Sequence, residues 1–427
     1  MKTMKFLSLA ALALTFAACS NDDNEVIQQQ ASQPADGEIT ITATITKDGA
    51  MTRALSERES EIASTWTVGE KVAILFDYKS VQTVREAEVT AVSSGQATIQ
   101  FTIPADLTGT QTATLVYPST AVNAAKTGAD VATALATQDG TITNCPEVRT
   151  GTGTLYADTH TLLVNTPLAA QNAIFKFTVQ DLSSDDKTAT KFKISDASGK
   201  VLTTVTASHA SNTLFVALPV MAAGTYWFNA TIDDKPYIAR ATTAAATVAG
   251  DYYSTTVRMA TIGDVILSDG TFAKAGASSP VAMLAYLGNG SNGRYGLAIQ
   301  LNSNPVVKQW ENDQAGNYVN GLTPLLGGTW YVPRMSDWQY MFLACRKDGD
   351  VSGASSDKME PIAGFKEKIA ATGTTWQSSA YWTRSTSGLN DSRWWAVSFY
   401  FDNGYARASF SCLGSYGNFY VLGCLAF

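Results

Sequence analysis

From Glu38 to Thr46 the chain reads Glu-Ile-Thr-Ile-Thr-Ala-Thr-Ile-Thr, and this strict alternation narrows most what the chain can become. A period of two puts Ile39, Ile41, Ala43 and Ile45 on one face and mostly threonine on the other, which predicts a half-buried strand. Further strand-like runs lie at 71–78, 85–91, 97–103 and 112–117. Long helical periodicity is scarce, so the predicted class is mainly β. With 427 residues the length allows about three domains, each with its own core.

Charge and histidine content exclude several functions. The net charge is −7 and no stretch concentrates Lys or Arg, so nucleic acid is not an expected partner. The two histidines, His160 and His209, lie far apart without a second ligand at metal spacing, and no metal or cofactor is expected. Lys2 and Lys5 precede an apolar run from Phe6 to Phe16, followed by Ala17, Ala18 and Cys19. That run is too short to span a bilayer and predicts a secretory signal over 1–18. It resembles a bacterial lipoprotein signal, although Phe16 stands where an aliphatic residue is usual. The resemblance implies a lipidated (palmitate-bearing) Cys19, attachment to the membrane only through that lipid, and a place on the outer membrane surface. Residues 19–36 are polar and Gln-rich, a flexible tether. Export permits disulfides among Cys145, Cys345, Cys412 and Cys424, and one bridge within the last three is expected.

Met51-Thr52-Arg53-Ala54, then Trp66-Thr67-Val68-Gly69-Glu70-Lys71-Val72-Ala73-Ile74, resemble motifs of the fimbrillin family of Gram-negative pilins. Glu70 stands where that family usually has Asp. Asn172-Ala173-Ile174-Phe175-Lys176-Phe177-Thr178-Val179 is similar to the opening of the family's second β domain, which the resemblance carries on through strands at 191–195, 213–219 and 224–232 to a closing strand at 252–259. The resemblance implies two transthyretin-like β-sandwich domains, at 37–165 and 166–260. It also implies cleavage after Arg53, leaving Ala54 as the new N-terminus. The strand 38–46 would then leave, and a strand from another pilin subunit would take its place by donor-strand exchange.

From about 261 the pattern changes. The loop 288–293 matches G-x-G-x-x-G by letter, but strand-like sequence follows it where a dinucleotide site needs a helix, so a hairpin turn is predicted. Helices are expected over 335–347, capped by Ser336 or Asp337, and over 361–371, stopped by Gly373. Paired strands follow around the Asp402-Asn403-Gly404 turn, with a last strand over 420–427. Gly263-Asp264, Ser268-Asp269-Gly270, Trp330-Tyr-Val-Pro333 with Trp338, and Tyr381-Trp382-Thr383 together resemble the C-type-lectin-like domains of bacterial surface proteins. That implies an α+β adhesion domain over 261–427. The chain departs from that family at its last strand, where Val421–Phe427 lacks the usual arginine, and it has no calcium-dependent sugar motif.

Fourteen of the 52 residues from Trp376 to Phe427 are aromatic, against 10% of the whole chain, and small polar residues separate them. Rigid rings among adaptable polar residues suit recognition. Trp395, Val397, Phe399 and Phe401 alternate as a core face. The opposite face and the Gly-rich loop supply the expected ligand-binding residues: Arg384, Asp391, Arg393, Trp394, Tyr400, Asp402, Tyr405, Arg407, Tyr416, Asn418 and Tyr420. These fit the palette that diversity-generating retroelements scatter over such domains. The same fold houses copper oxidases with a reactive cysteine pair, but no matching constellation surrounds Cys412 and Cys424, and no catalytic motif occurs elsewhere. The expected function is a surface pilin, at a fimbrial tip, that binds a host or bacterial glycan or protein. The alternative is a surface lipoprotein that binds such a ligand without polymerising.

Overall fold

The computed structural model describes residues 37–47, 56–58, 61–63, 65–288, 295–301, 314–345, 363–374, 380–383, 395–402, 405–412 and 421–427. The first sheet is built from β1 (Glu38–Thr46), β2 (Lys71–Tyr78), β3 (Val81–Ser93), β4 (Gln96–Pro104), β5 (Thr110–Tyr117), β6 (Arg149–Tyr156) and β7 (Thr161–Leu163). Their spatial order is β1-β4-β3-β2-β5-β6-β7, antiparallel throughout. The sheet curls until its two edges meet. The Leu168 N–H donates to the Thr46 carbonyl at 2.8 Å, and Lys47 forms a parallel bridge with Leu168. Inside lie Ile41, Ile45, Val72, Ile74, Phe76, Ile99, Phe101, Leu115 and Leu155.

A second sheet follows: β8 (Asn172–Asp181), β9 (Lys191–Asp196), β10 (Val201–Thr206), β11 (Thr213–Pro219), β12 (Gly224–Ile232), β13 (Lys235–Thr243) and β14 (Tyr252–Thr261). The order is β11-β8-β14-β13-β12-β9-β10, with β8 and β14 parallel. Phe177, Phe192 and Phe228 meet at its centre with ring centroids 5.5–5.9 Å apart. The two sheets interlock, because Thr137–Gln138 from the first half of the chain adds a parallel pairing to β10. Gln138 is buried. Its amide donates to the Ala217 carbonyl at 2.7 Å and accepts from the Ala217 N–H at 2.8 Å, while Ile174 and Ala217 pack on Leu75, Val116 and Val148.

The last third holds β15 (Val265–Ile266), β16 (Phe272–Ala273), β17 (Ala282–Leu287), β18 (Gly296–Gln300), α1 (Gln314–Asn320), β19 (Thr329–Tyr331), α2 (Met335–Ala344), α3 (Ala363–Ala371), β20 (Ala380–Thr383), β21 (Trp395–Asp402), β22 (Tyr405–Cys412) and β23 (Cys424–Ala426). One sheet runs β16-β15-β17-β18-β23-β19, and β20-β21-β22 forms another. Trp338, Met341 and Phe342 of α2 and Phe365 and Ile369 of α3 pack on Met283, Leu297 and Ile299.

The alternation in β1 predicts its bounds and its buried face correctly. β17 and β18 pair antiparallel, and the Gly288 N–H donates to the Tyr295 carbonyl at 2.9 Å, so the Gly-rich stretch joins a hairpin. Strands β6, β10 and β13 and helix α1 had no counterpart in the sequence expectation. β6 is disguised by Gly151 and Gly153, which lower apparent strand propensity. A Cβ at Gly151 would stand 2.4 Å from Leu168 Cδ2, so close packing explains the glycine there. Asp337 does not occupy the N-cap position of α2. It sits in the first turn and accepts from the Arg334 N–H at 2.8 Å.

The expected bridge in the last third is corrected for two of its three cysteines. Cys345 and Cys424 are free, as is Cys145, and all three are buried. Burial pushes the Cys345 thiol up to about 12 and raises those of Cys145 and Cys424 further. Thiolate is the reactive form. We therefore expect Cys145, Cys345 and Cys424 to resist alkylation in the native protein at pH 8 and to label fully in denaturant. Mass spectrometry of labelled peptides checks this, and native labelling at any of the three would contradict the burial.

Candidate functional site

β1 is the edge strand that closes the first sheet over its apolar interior. Among the described residues its ladder partner on one side is β4, in the register Ile39↔Ile103, Ile41↔Phe101, Ala43↔Ile99 and Ile45↔Ala97. On its other side, among the described residues, the Leu168 N–H donates to the Thr46 carbonyl and Lys47 bridges Leu168. Ile41, Ala43 and Ile45 are buried and Ile39 is half-buried, so each large side chain contributes about 1.5–3 kcal/mol to holding the strand. At the start of the strand, Glu38 accepts from Arg85 Nη2 at 3.0 Å and Thr102 Oγ1 at 2.6 Å.

Lys47 continues the inward phase beyond Ile45, and its side chain is 3% exposed. Its Nζ lies 3.3 Å from Glu147 Oε2 and 4.0 Å from Glu70 Oε2. The same atom sits 4.2 Å from the ring centroids of both Trp66 and Tyr117, which meet edge to face. This is a cation–π cage closed by two carboxylates. Every wall is fixed from outside β1. Tyr117 Oη donates to Glu70 Oε1 at 2.9 Å, the Thr67 N–H donates to Glu70 Oε2 at 3.2 Å, and Arg149 Nε donates to Glu147. Burial is the strongest influence on Lys47 and pushes its ammonium below the ordinary 10.5, while Glu147 and Glu70 pull it back. The unfolded chain then binds more protons than the fold between that lowered value and 10.5. The contribution of Lys47 to stability therefore grows as pH rises through that window.

Sequence reasoning found Ile39, Ile41 and Ile45 but missed the cage. One signal was present: Lys47 falls on the phase of the isoleucines, where alternation predicts an inward side chain. The cleavage residues Arg53 and Ala54, and the lipidation residue Cys19, lie outside the described residues.

Of the expected ligand-binding residues, Arg384, Asp391, Arg393, Trp394, Tyr416, Asn418 and Tyr420 also lie outside the described residues. The backbone places the other four in the β21–β22 hairpin, where Tyr400 stands opposite Arg407 and Asp402 opposite Tyr405. All four fall on one phase of the pleat. Cys412 and Cys424, expected in adjacent strands, belong to different sheets: β22 pairs with β21, whereas β23 lies between β18 and β19. No group of three His, Cys, Asp or Glu side chains with metal-holding geometry occurs among the described residues.

A second concave feature was not foreseen. A cleft of about 550 Å³ lies where the second sheet meets the last third, lined by Trp227, Arg240, Tyr295, Tyr331 and Phe427 among others. Trp227 stacks on Tyr295 at 4.6 Å and on Phe427 at 5.8 Å, with Arg240 over its ring at 5.8 Å. These three rings are themselves buried, so they join the two parts of the chain and leave Arg240 and Thr329 at the rim.

No family model matches the chain, and neither does any curated protein. Among solved structures, the chain is similar to a fimbrial protein from Bacteroides ovatus, with 12% identity over 91% of this chain and 99% of that one and a TM-score of 0.28. It is also similar to a fimbrial assembly protein from Parabacteroides distasonis, with 10% identity over 51% of this chain and 90% of that one and a TM-score of 0.28. The major pilin subunit of Bacillus cereus matches at 12% identity over 53% of this chain and 60% of that one, with a TM-score of 0.16. Superposition at these scores assigns no residue role.

The cage yields a stability prediction. Lys47→Met removes a buried ammonium that lies 3.3 Å from Glu147 and 4.0 Å from Glu70. We expect a loss of about 3–5 kcal/mol in urea unfolding near neutral pH. Adding Glu70→Gln removes one of the two carboxylates that face Lys47 and should recover part of the loss. A double variant no more stable than the single one would show that the charges are not coupled.

Proposed function

We propose that this protein is a surface-anchored fimbrial subunit that gives up β1 and accepts a neighbour's strand in its place. In this reading it carries an adhesion domain at the opposite end. The observation that supports it most is the construction of β1. The strand covers the apolar interior with one alternating face, is laddered along its length on one side, and ends seven residues before Arg53. Cutting after Arg53 would leave β1 held by noncovalent contacts alone. Its removal would expose the edge of β4 and the pockets of Ile41, Ala43 and Ile45, a template for strand addition.

The domain reading proposed is the one expected from sequence: β domains over 37–165 and 166–260 and a C-type-lectin-like domain over 261–427. Cys19 would carry the lipid, and the β21–β22 hairpin with its neighbouring loops would bind a glycan or protein. β23 is paired on both sides, which suits a subunit that accepts a strand but does not donate its own, as at a fimbrial tip. A second reading, a surface lipoprotein that never polymerises, has one observation in its favour. The Lys47 cage and the Leu168 bridge fasten the end of β1 nearest the proposed cut.

Protein extracted from the cell surface should begin at Ala54 and run as a ladder of oligomers. An N-terminus at lipidated Cys19 with monomers alone would decide for the second reading. For the adhesion end, Trp394→Ala with Tyr400→Ala should weaken ligand capture at least ~30-fold on a glycan and protein array without lowering the melting temperature, as expected of two anchor rings. Unchanged capture would place the site elsewhere.

A further inference from the structure

We infer that the second sheet contains a strand-acceptor slot between β10 and β11, and that residues 135–140, carried by the first half of the chain, are its built-in occupant. The inference goes beyond the strand replacement proposed above and does not depend on the release of β1. Within residues 172–261, β10 and β11 are the two end strands of the sheet. Left open, such edges present unpaired N–H and C=O groups that other strands can join.

One passage of chain serves both edges. On the β10 side, Thr137–Gln138 pairs parallel with Thr204–Val205, and the Thr204 N–H donates to the Ala136 carbonyl at 2.8 Å. On the β11 side, the Phe215 N–H donates to the Gly140 carbonyl at 2.9 Å. Gln138 completes that side with its side chain. Its amide meets both the N–H and the carbonyl of Ala217, at 2.8 and 2.7 Å, as a peptide group of a neighbouring strand would. The same Nε2 donates to Thr203 Oγ1 at 2.9 Å, and that hydroxyl donates to the Leu135 carbonyl at 2.6 Å. Gln138 and Thr203 are buried, so each bond lost there would strand a polar group away from water.

Shape is as restrictive as bonding. Gly140 has a φ of +78°, and a Cβ there would stand 2.9 Å from Leu214 Cδ2 and 3.0 Å from Val205 Cγ1. Those two side chains belong to the core of the second sheet, so the segment lies directly on that core. The occupant is also held in shape from both ends. Before it, Asp130 accepts from the Thr133 N–H at 3.1 Å; behind it, Asp139 accepts from the Thr141 N–H at 2.9 Å and from Asn144 Nδ2 at 2.7 Å. The slot therefore takes a segment with Gln two places before Gly, and residues 135–140 supply it. While they sit there, the slot is closed to any other strand, and the first half of the chain completes the sheet of the second.

The test uses the full chain with a specific protease site inserted in the exposed stretch 165–167. Cutting there removes the direct covalent link between the segment and the slot. The cut protein should elute as one species in size-exclusion chromatography, and separation into two pieces overturns the inference. Leu168 and Ala169–Ala170 still pair with the first sheet after the cut, so variants isolate the slot. Gln138→Leu and Gly140→Leu should each weaken the association of the cut pieces at least ~30-fold, the order expected for stranded backbone groups or an overfilled core. Association as tight as in the unsubstituted protein overturns the inference. Hydrogen exchange of the uncut, unsubstituted protein needs no variant to fold. The Phe215 and Ala217 amides should exchange within about tenfold of those in β8, which is paired on both sides, and exchange at the rate of an open edge overturns the inference.

Discussion

The first sheet depends on one seam. A curled antiparallel sheet must close its two edges or leave apolar interior open to water, and here the closing edge is β1. Ile41 and Ile45 fill the interior, while the opposite edge meets β1 in the backbone through Leu168 at one end. Such a seam is strong along one side and weak along the other. Side-chain burial holds the strand, and cross-strand bonds on the β7 side hardly contribute. On that side the chemistry inside the pockets, more than the backbone, holds β1 in place.

The remaining architecture keeps that seam apart from the other end of the chain. The junction between the first and second sheets is both apolar and hydrogen-bonded. Gln138 fixes register through Ala217 while Ile174 closes the gap against Leu75 and Val116. The junction with the last third is aromatic. Trp227, Tyr295 and Phe427 stack across it, and Tyr295 Oη donates to the Asp196 carbonyl at 2.9 Å. Both joints bury large side chains, unlike the sparse, polar contacts that permit domain motion.

Strands with one buried face were legible in the sequence, because alternation reports that situation directly; β1 begins and ends where the pattern says. Strands shaped by close packing were not. β6 carries glycines where Leu168 presses on the backbone, and this looks like a loop until the neighbour is known. Tyr226-Trp227-Phe228 illustrates a third case. Tyr226 and Phe228 serve the core of the second sheet while Trp227 faces the last third, so three successive rings record a strand covered on both faces. The cage was half legible. The phase of Lys47 could be read, but its walls come from residues 66–70, 117 and 147–149, which tertiary structure alone brings together.

β1 and β23 make opposite arguments from the same kind of bond. β23 pairs in register with β18 through Leu297↔Ala426 and with β19 through Thr329↔Ala426, and Val421, Leu422, Cys424 and Leu425 are buried around it. Removing it would break two ladders and open two apolar clusters, since Leu422 and Cys424 belong to one and Val421 and Leu425 to the other. Removing β1 would break one ladder and open one cluster. The two strands thus differ by a full ladder and a full core face, and this asymmetry gives the chain a direction. β1 closes the edge of its sheet, whereas β23 lies inside the last sheet between β18 and β19.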